Sequence, residues 1–87
     1  MANVSEMAPC HIITSRPEGT TLYLQRGFIL AQDGPVQLGD QYLDESTRNT
    51  PVRDLWAPAA QDRGWELLGD PRPTGLMSFT LTARRVA

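Results

Sequence analysis

The side chains best suited to nucleophilic chemistry are Cys10 and His11, the only cysteine and the only histidine of the 87 residues. They are adjacent in a β-prone run, and consecutive side chains of a strand point to opposite faces, so they cannot act together as nucleophile and base. One cysteine and one histidine also fall short of the four ligands of a structural zinc site. A hydroxyl nucleophile would be Ser15, Ser46 or Ser78, and none has the Gly-x-Ser-x-Gly context of a nucleophile elbow. We therefore expect no catalytic residues.

Carboxylates and glycines give no stronger indication of a bound group. Asp40, Asp44 and Glu45 could gather around a hard cation, but the ligand spacing and the glycine of an EF-hand loop are missing. The seven glycines form neither a phosphate-binding loop nor a dinucleotide-binding fingerprint. The sequence therefore predicts no metal site and no cofactor, and we expect that the protein is not an enzyme.

The charge and hydropathy of the chain exclude other classes. The formal net charge is −2, and all eight basic residues are arginine, whereas generic nucleic-acid binding needs a basic surface and a high pI. No apolar run approaches the roughly 18 to 20 residues of a membrane span. A single cysteine is typical of a reducing compartment, and we expect a cytoplasmic location.

Short β-prone runs separated by turn signals predict an antiparallel sheet. The last run is the clearest, because apolar residues alternate with polar ones from Met77 to Arg84, which is typical of a strand with one face on a core and one in water. The other runs are Cys10–Thr14, Thr20–Gln25, Phe28–Ala31, Val36–Leu38 and Trp65–Leu68.

One helix is predicted between the fourth and fifth runs. Thr50 can cap it, Pro51 suits its first position, and Gly64 suits its left-handed C-terminal cap. Apolar residues between them repeat every three or four positions. Pro58 would remove a backbone hydrogen bond at a cost of about 3 kcal/mol. The helix is therefore either kinked, or a short turn followed by a second helix that starts near Pro58.

These elements predict an α+β fold. We expect a flexible tail over residues 1–9 and a single α+β domain over residues 10–87, with a small antiparallel sheet of four to five strands and one short, broken helix packed on one face. The predicted core residues are Leu22, Leu24, Trp65, Leu67, Phe79 and Leu81.

The second half of the chain carries a resemblance. Ala59-Ala60 leads into Gly64-Trp65-Glu66-Leu67, and the final amphipathic strand ends at Arg84. This arrangement over Ala59–Arg84 resembles a family of small bacterial and phage domains of unknown function. The resemblance implies a sheet with one packed helix and transfers no catalytic residue. Pro58 departs from the unbroken helix of that family.

A second resemblance concerns the two tryptophans. Leu55-Trp56-Ala57-Pro58, followed by Gly64-Trp65, is similar to elements of MbtH-like proteins, which bind and activate adenylation domains of peptide synthetases. The tryptophan spacing differs by one residue from that family, and its C-terminal signature is missing. The resemblance implies an activator of a larger enzyme.

The function that these features favour is a non-enzymatic protein-binding module, including a phage or mobile-element inhibitor of a host enzyme or defence complex. The partner is either another protein or a second copy of the chain. The alternative is a small-molecule-binding or accessory protein with a pocket at a dimer interface. The expected partner-binding residues are Trp56, Tyr23, Arg72, Arg84 and Arg85.

Open strand edges can also template a partner strand. We expect the final strand, Leu76–Arg84, to be such an edge. If it is interior instead, Thr20–Gln25 or Cys10–Thr14 is the expected edge.

Overall fold

The computed structural model describes residues 5–86, and over this range five antiparallel strands form one sheet that is accompanied by one helix. The elements in chain order are β1 Met7–Ser15, β2 Tyr23–Ala31, β3 Gly34–Leu43, α1 Val52–Asp62, β4 Trp65–Gly75 and β5 Ser78–Arg85. The strands are arranged in the order β3-β2-β1-β5-β4. The fold is therefore α+β, and the predicted sheet of four to five strands is confirmed.

The edges of the sheet are β3 and β4, because β5 lies between β1 and β4. The prediction that Leu76–Arg84 forms an edge is wrong, and so are the two competing edges, which lie in the interior strands β2 and β1. Pro35 on β3 and Pro71 and Pro73 on β4 suit edge strands, since a proline nitrogen cannot donate to a neighbouring strand.

The first strand begins earlier than the sequence predicts. β1 starts at Met7, so the predicted tail extends too far when it includes Pro9. The carboxylate of Glu6 accepts hydrogen bonds from the backbone of Gln32 at 2.6 Å and from Arg85 at 3.0 Å. These contacts anchor the start of β1. The first four residues of the predicted tail lie outside the described residues.

β4 and β5 form a long hairpin that extends past the predicted end of the strand at Leu68. The pairing register shifts between Leu68 and Arg72, and pairing then continues as far as Gly75, which lies opposite Ser78. Residues 69–75, which follow the predicted strand, are therefore part of β4. The actual turn is the two residues that follow, Leu76 and Met77.

The helix is one element that runs through Pro58, so the prediction of a broken helix is wrong. Pro58 and Asp54, four residues before it, are both exposed. The carbonyl that loses its partner can therefore bond to water, which lowers the cost of the proline. Thr50 makes no cap, and Pro51 occupies the N-cap position. Gly64 has a φ of 82°, as its predicted cap role requires.

One face of the sheet, here called the core face, carries the buried side chains. Trp65, Leu67 and Leu81 are buried there, as predicted. Leu22 is 41% exposed and Leu24 is only half-buried, so for these two the prediction is wrong. Phe79 packs against the buried residues but is itself only partly buried. The buried set is Ala8, Cys10, Ile12, Gln25, Ile29, Leu38, Trp56, Ala60, Trp65, Leu67, Leu81 and Ala83.

Trp56 explains why β2 presents Gln25, Gly27 and Ile29 to the core in place of its leucines. The Trp56 Nε1–H donates to the buried Gln25 Oε1 at 2.8 Å. A Cβ atom at Gly27 would lie 2.8 Å from Trp56 Cζ3 and 3.0 Å from Ile12 Cδ1. Trp56 is therefore completely buried, at 0% exposure, so this predicted partner residue presents no exposed surface.

The hydrogen bond of Trp56 should be visible in a comparison of two tryptophan substitutions. Trp56→Phe leaves the buried side-chain oxygen of Gln25 without its hydrogen-bond donor, which costs about 1–3 kcal/mol. Trp65→Phe removes the same volume but no hydrogen bond, since Trp65 Nε1 has no partner among the described residues. In urea denaturation, we expect Trp56→Phe to lose about 1–3 kcal/mol more than Trp65→Phe. Equal losses would contradict the role of the Gln25 contact.

The contact between Gly27 and Trp56 gives a second comparison. Gly27→Ala forces a methyl group into the Trp56 ring and Ile12, and we expect a loss of about 1–3 kcal/mol from overpacking. Gly75→Ala is the matched control, because its Cβ would meet only the Ser78 hydroxyl, which can rotate away. Thermal unfolding of both variants checks this. A Gly27→Ala protein as stable as Gly75→Ala would show that the ring does not close on Gly27.

Candidate protein-binding surface

The remaining expected partner residues lie on different parts of the sheet. Tyr23 is 42% exposed at the end where β1 finishes and β5 begins, here called the distal end. Arg72 is exposed on β4, opposite Thr80. Arg84 and Arg85 lie at the other end of β5. The structure therefore does not bring these residues together into one surface.

Arg84 and Arg85 are occupied by contacts within the chain. Arg84 donates to Glu66 at 2.6 Å. The guanidinium carbon of Arg85 lies 4.5 Å from the centre of the Trp65 ring, and Arg85 also pairs with Glu6 at 3.0 Å. A cation held over an aromatic face in this way is already partly satisfied. Contact with an acidic partner would compete with these interactions.

The core face is left uncovered at the distal end. α1 has eleven residues, which corresponds to a length of about 16 Å, whereas β4 and β5 have eleven and eight residues, or about 26 to 36 Å. A shallow groove with a volume of about 300 Å³ remains beyond the helix. We call it the distal groove, and it is lined by Thr14, Tyr23, Gln25, Leu43, Leu76, Met77 and Phe79.

The turn beside the distal groove is apolar. Leu76 is 103% exposed and Met77 is 44% exposed. Two-residue hairpin turns favour asparagine and glycine with positive φ, and neither Leu76 nor Met77 has a positive φ. The other two-residue turn, Gln32–Asp33, is polar. Turn geometry therefore does not account for the choice of Leu76 and Met77.

The prediction placed Leu76 and Met77 in the final strand and did not include their exposure to solvent. The available indication was the preceding Gly75, after which two apolar residues interrupt an otherwise polar turn region. Tyr23, by contrast, was expected to bind a partner and does line the distal groove.

The second uncovered surface is the face of the sheet opposite the core face, here called the open face. Its side chains on β1, β2 and β3 are mostly apolar, whereas those on β5 are Ser78, Thr80, Thr82 and Arg84. The apolar half of the open face consists of Met7, Pro9, Ile13, Leu24, Phe28, Leu30, Pro35 and Tyr42.

Charged groups on the open face are neutralised within the chain. Arg26 and Asp40 lie opposite each other on β2 and β3 and form two hydrogen bonds, at 2.9 and 3.3 Å. The hydrogen bond from Arg26 holds the pKa of Asp40 below its ordinary value. Arg84 and Glu66 pair in the same way across β5 and β4. The open face therefore presents little net charge.

His11 lies on the open face, opposite in direction to Cys10, as their adjacency predicts. Its Nδ1 is 3.0 Å from the hydroxyl of Thr80, which itself donates to Thr74 at 3.2 Å. The tautomer of His11 determines which of the two groups donates. Ser78 also contacts Thr74, at 3.2 Å. His11 therefore contacts a group of linked hydroxyls on the open face.

Two of the three acidic residues that could have bound a cation have partners within the chain. Asp40 pairs with Arg26. Asp44 accepts hydrogen bonds from Ser46 and Thr47, which fold the following loop and lower the pKa of Asp44. Within residues 5–86, no group of three or more metal-ligating side chains is close enough to hold an ion.

Comparisons with protein-family models, curated proteins and solved structures return no match to this chain. The resemblance of Ala59–Arg84 to the small bacterial and phage family therefore rests on the sequence of this segment alone. In the part of the chain that the structure describes, no helix is long and apolar enough to span a bilayer.

The buried position of Cys10 predicts an unreactive thiol. Cys10 is 0% exposed, and burial raises its pKa from 9.0 to about 12. At pH 8 we expect no reaction of the folded protein with a thiol-specific reagent, and full reaction in denaturant. Rapid labelling without denaturant would contradict this placement.

The same pKa shift predicts a pH dependence of stability. Because the pKa of the Cys10 thiol is higher in the folded state than in the unfolded state, the folded state holds the thiol proton more tightly. The contribution of this group to the free energy of unfolding is therefore fully present below about pH 9 and decreases as the pH rises toward 12. Cys10→Ala lacks this dependence. The free energy of unfolding of the wild type should therefore decrease relative to that of Cys10→Ala over this range.

Proposed function

We propose that this chain is a protein-binding module that acts without catalysis. The observation that carries the proposal is the apolar turn Leu76–Met77 beside the distal groove. A leucine that is 103% exposed keeps its whole side chain in water, whereas burial of a leucine side chain stabilises a complex by about 1.5–3 kcal/mol. Tyr23, also in the groove wall, is a residue type enriched where interfaces are strongest.

The architecture supports the same conclusion. We propose that α1 is the layer that packs on one face of the sheet, anchored by Trp56 against Gly27. One helix of eleven residues cannot cover five strands. A second layer is needed to bury the remaining apolar surface, and a protein partner would supply it.

The chemistry of the polar residues supports a non-enzymatic role. Cys10 is buried with a raised pKa, and His11 contacts a threonine hydroxyl on the open face. The carboxylates of Asp40 and Asp44 bind an arginine and a loop. None of these groups is directed toward the distal groove.

We further propose that the module acts in the cytoplasm, on the basis of its one cysteine, which is buried and does not form a disulfide. A phage or mobile-element inhibitor of a host enzyme or defence complex belongs to this class, and so does membership in the small bacterial and phage family that Ala59–Arg84 resembles. The near-neutral chain agrees with a protein partner better than with generic nucleic acid.

The proposal is tested by co-purification from a lysate of the native host with three forms of the protein. Leu76→Asp places a charge in the expected contact, and Gln61→Asp is the matched control at an exposed position of α1. We expect wild type and Gln61→Asp to retain a protein that Leu76→Asp loses. The purified candidate should then bind Leu76→Asp at least ten times more weakly in calorimetry, equivalent to about 1.4 kcal/mol.

Two results would count against this function. If no protein is retained and the chain does not self-associate, the binding role is wrong. If all three forms retain the same protein equally, the distal groove is not the contact surface.

A further inference from the structure

We propose that the apolar half of the open face binds the same surface of a second copy of this chain, forming a two-fold symmetric dimer. This inference rests on the proposed function, because it names one partner of the module. The surface is separate from the distal groove, which lies on the core face. The contact would use side chains of a sheet face and not the free backbone groups of an edge strand, so it does not require a new strand to join the sheet.

The apolar half of the open face leaves large apolar side chains in water. Met7, Ile13, Leu30 and Tyr42 are 55%, 45%, 42% and 57% exposed. Exposed apolar side chains that lie together on one surface mark interaction sites, and a second copy would bury them on both chains at once.

The shape of the surface suits a second sheet. A sheet face packs readily against another sheet face, with the two separated by about 10 Å and rotated by about 30°. A depression with a volume of about 420 Å³ lies on this face and is lined by four apolar and two polar side chains: Ile13, Phe28, Leu30, Pro35, Arg26 and Gln37. It can receive side chains from an opposing copy. Such a pair would have two central sheets, with a helix on each outer side.

The surface carries little net charge. Arg26 and Asp40, the ion pair within this surface, neutralise each other in the same chain. A strongly charged partner would find no complementary charge here, whereas a second copy brings the same neutral pattern. Symmetric contacts of this kind require a surface that complements itself.

The open face is divided into an apolar half and a polar half. If a two-fold axis runs parallel to the strands through the middle of the apolar half, it places the apolar half of one copy on the apolar half of the other. The polar half, with Ser78, Thr80 and Thr82, would then extend past the partner on opposite sides of the dimer. These hydroxyl groups would stay in water and keep their hydrogen bonds.

The test is sedimentation equilibrium of the purified chain from roughly 1 to 200 µM, which spans weak to moderate dissociation constants. We expect wild type to approach twice the 9.6 kDa of one chain. Ile13→Asp and Leu30→Asp each place a charge in the interface, and we expect each to raise the dissociation constant at least ten-fold. Both positions are exposed in one chain, so circular dichroism should show unchanged folding.

Gln61→Asp is the matched control, since it introduces the same charge at an exposed position of α1 outside the open face, and it should dimerise like wild type. A wild type that is monomeric over the whole range overturns the dimer, as does dimerisation that Ile13→Asp and Leu30→Asp leave unchanged. A monomer that still has a Leu76-dependent partner overturns only the dimer. A monomer with no partner overturns the proposed function as well.

Discussion

The packing of Trp56 against Gly27 determines which side of β2 faces the core. The indole ring occupies the space that a side chain at position 27 would need, and its nitrogen donates to Gln25 two residues earlier. Once these positions face inward, the alternation of the strand turns Phe28 and Leu30 outward. The apolar character of the open face is therefore a direct consequence of how the helix is anchored.

The same anchor leaves the distal end uncovered. Trp56 holds the helix over the middle of the sheet, and the chain after α1 leads through Gly64 into β4 at the end opposite Tyr23. The long hairpin of β4 and β5 extends the sheet in the other direction. Both uncovered surfaces thus follow from one short helix on a sheet whose strands are longer than the helix.

The strand content and the helix were predictable from local pattern, and so was the inward face of the last strand. Leu81 lies between Thr80 and Thr82, so only one face of this strand is apolar enough to point to the core. The face of β2 that points to the core was not predictable. Leu22 and Leu24 are more hydrophobic than Gln25 and Gly27, which face the core in their place. That choice depends on a contact with Trp56, which lies far away in sequence, and local alternation contains no information about it.

The candidate surfaces were predictable only at Tyr23. Tryptophan and arginine are frequent in interfaces, but Trp56 is the anchor of the core, and Arg84 and Arg85 pair with Glu66 and Glu6. Pairing of this kind depends on strand order, which the sequence pattern does not determine. Because Arg26, Arg84 and Arg85 already pair with carboxylates of the same chain, the surfaces with most to gain from contact are apolar. Association at these surfaces would therefore depend mainly on burial of apolar area and only weakly on salt.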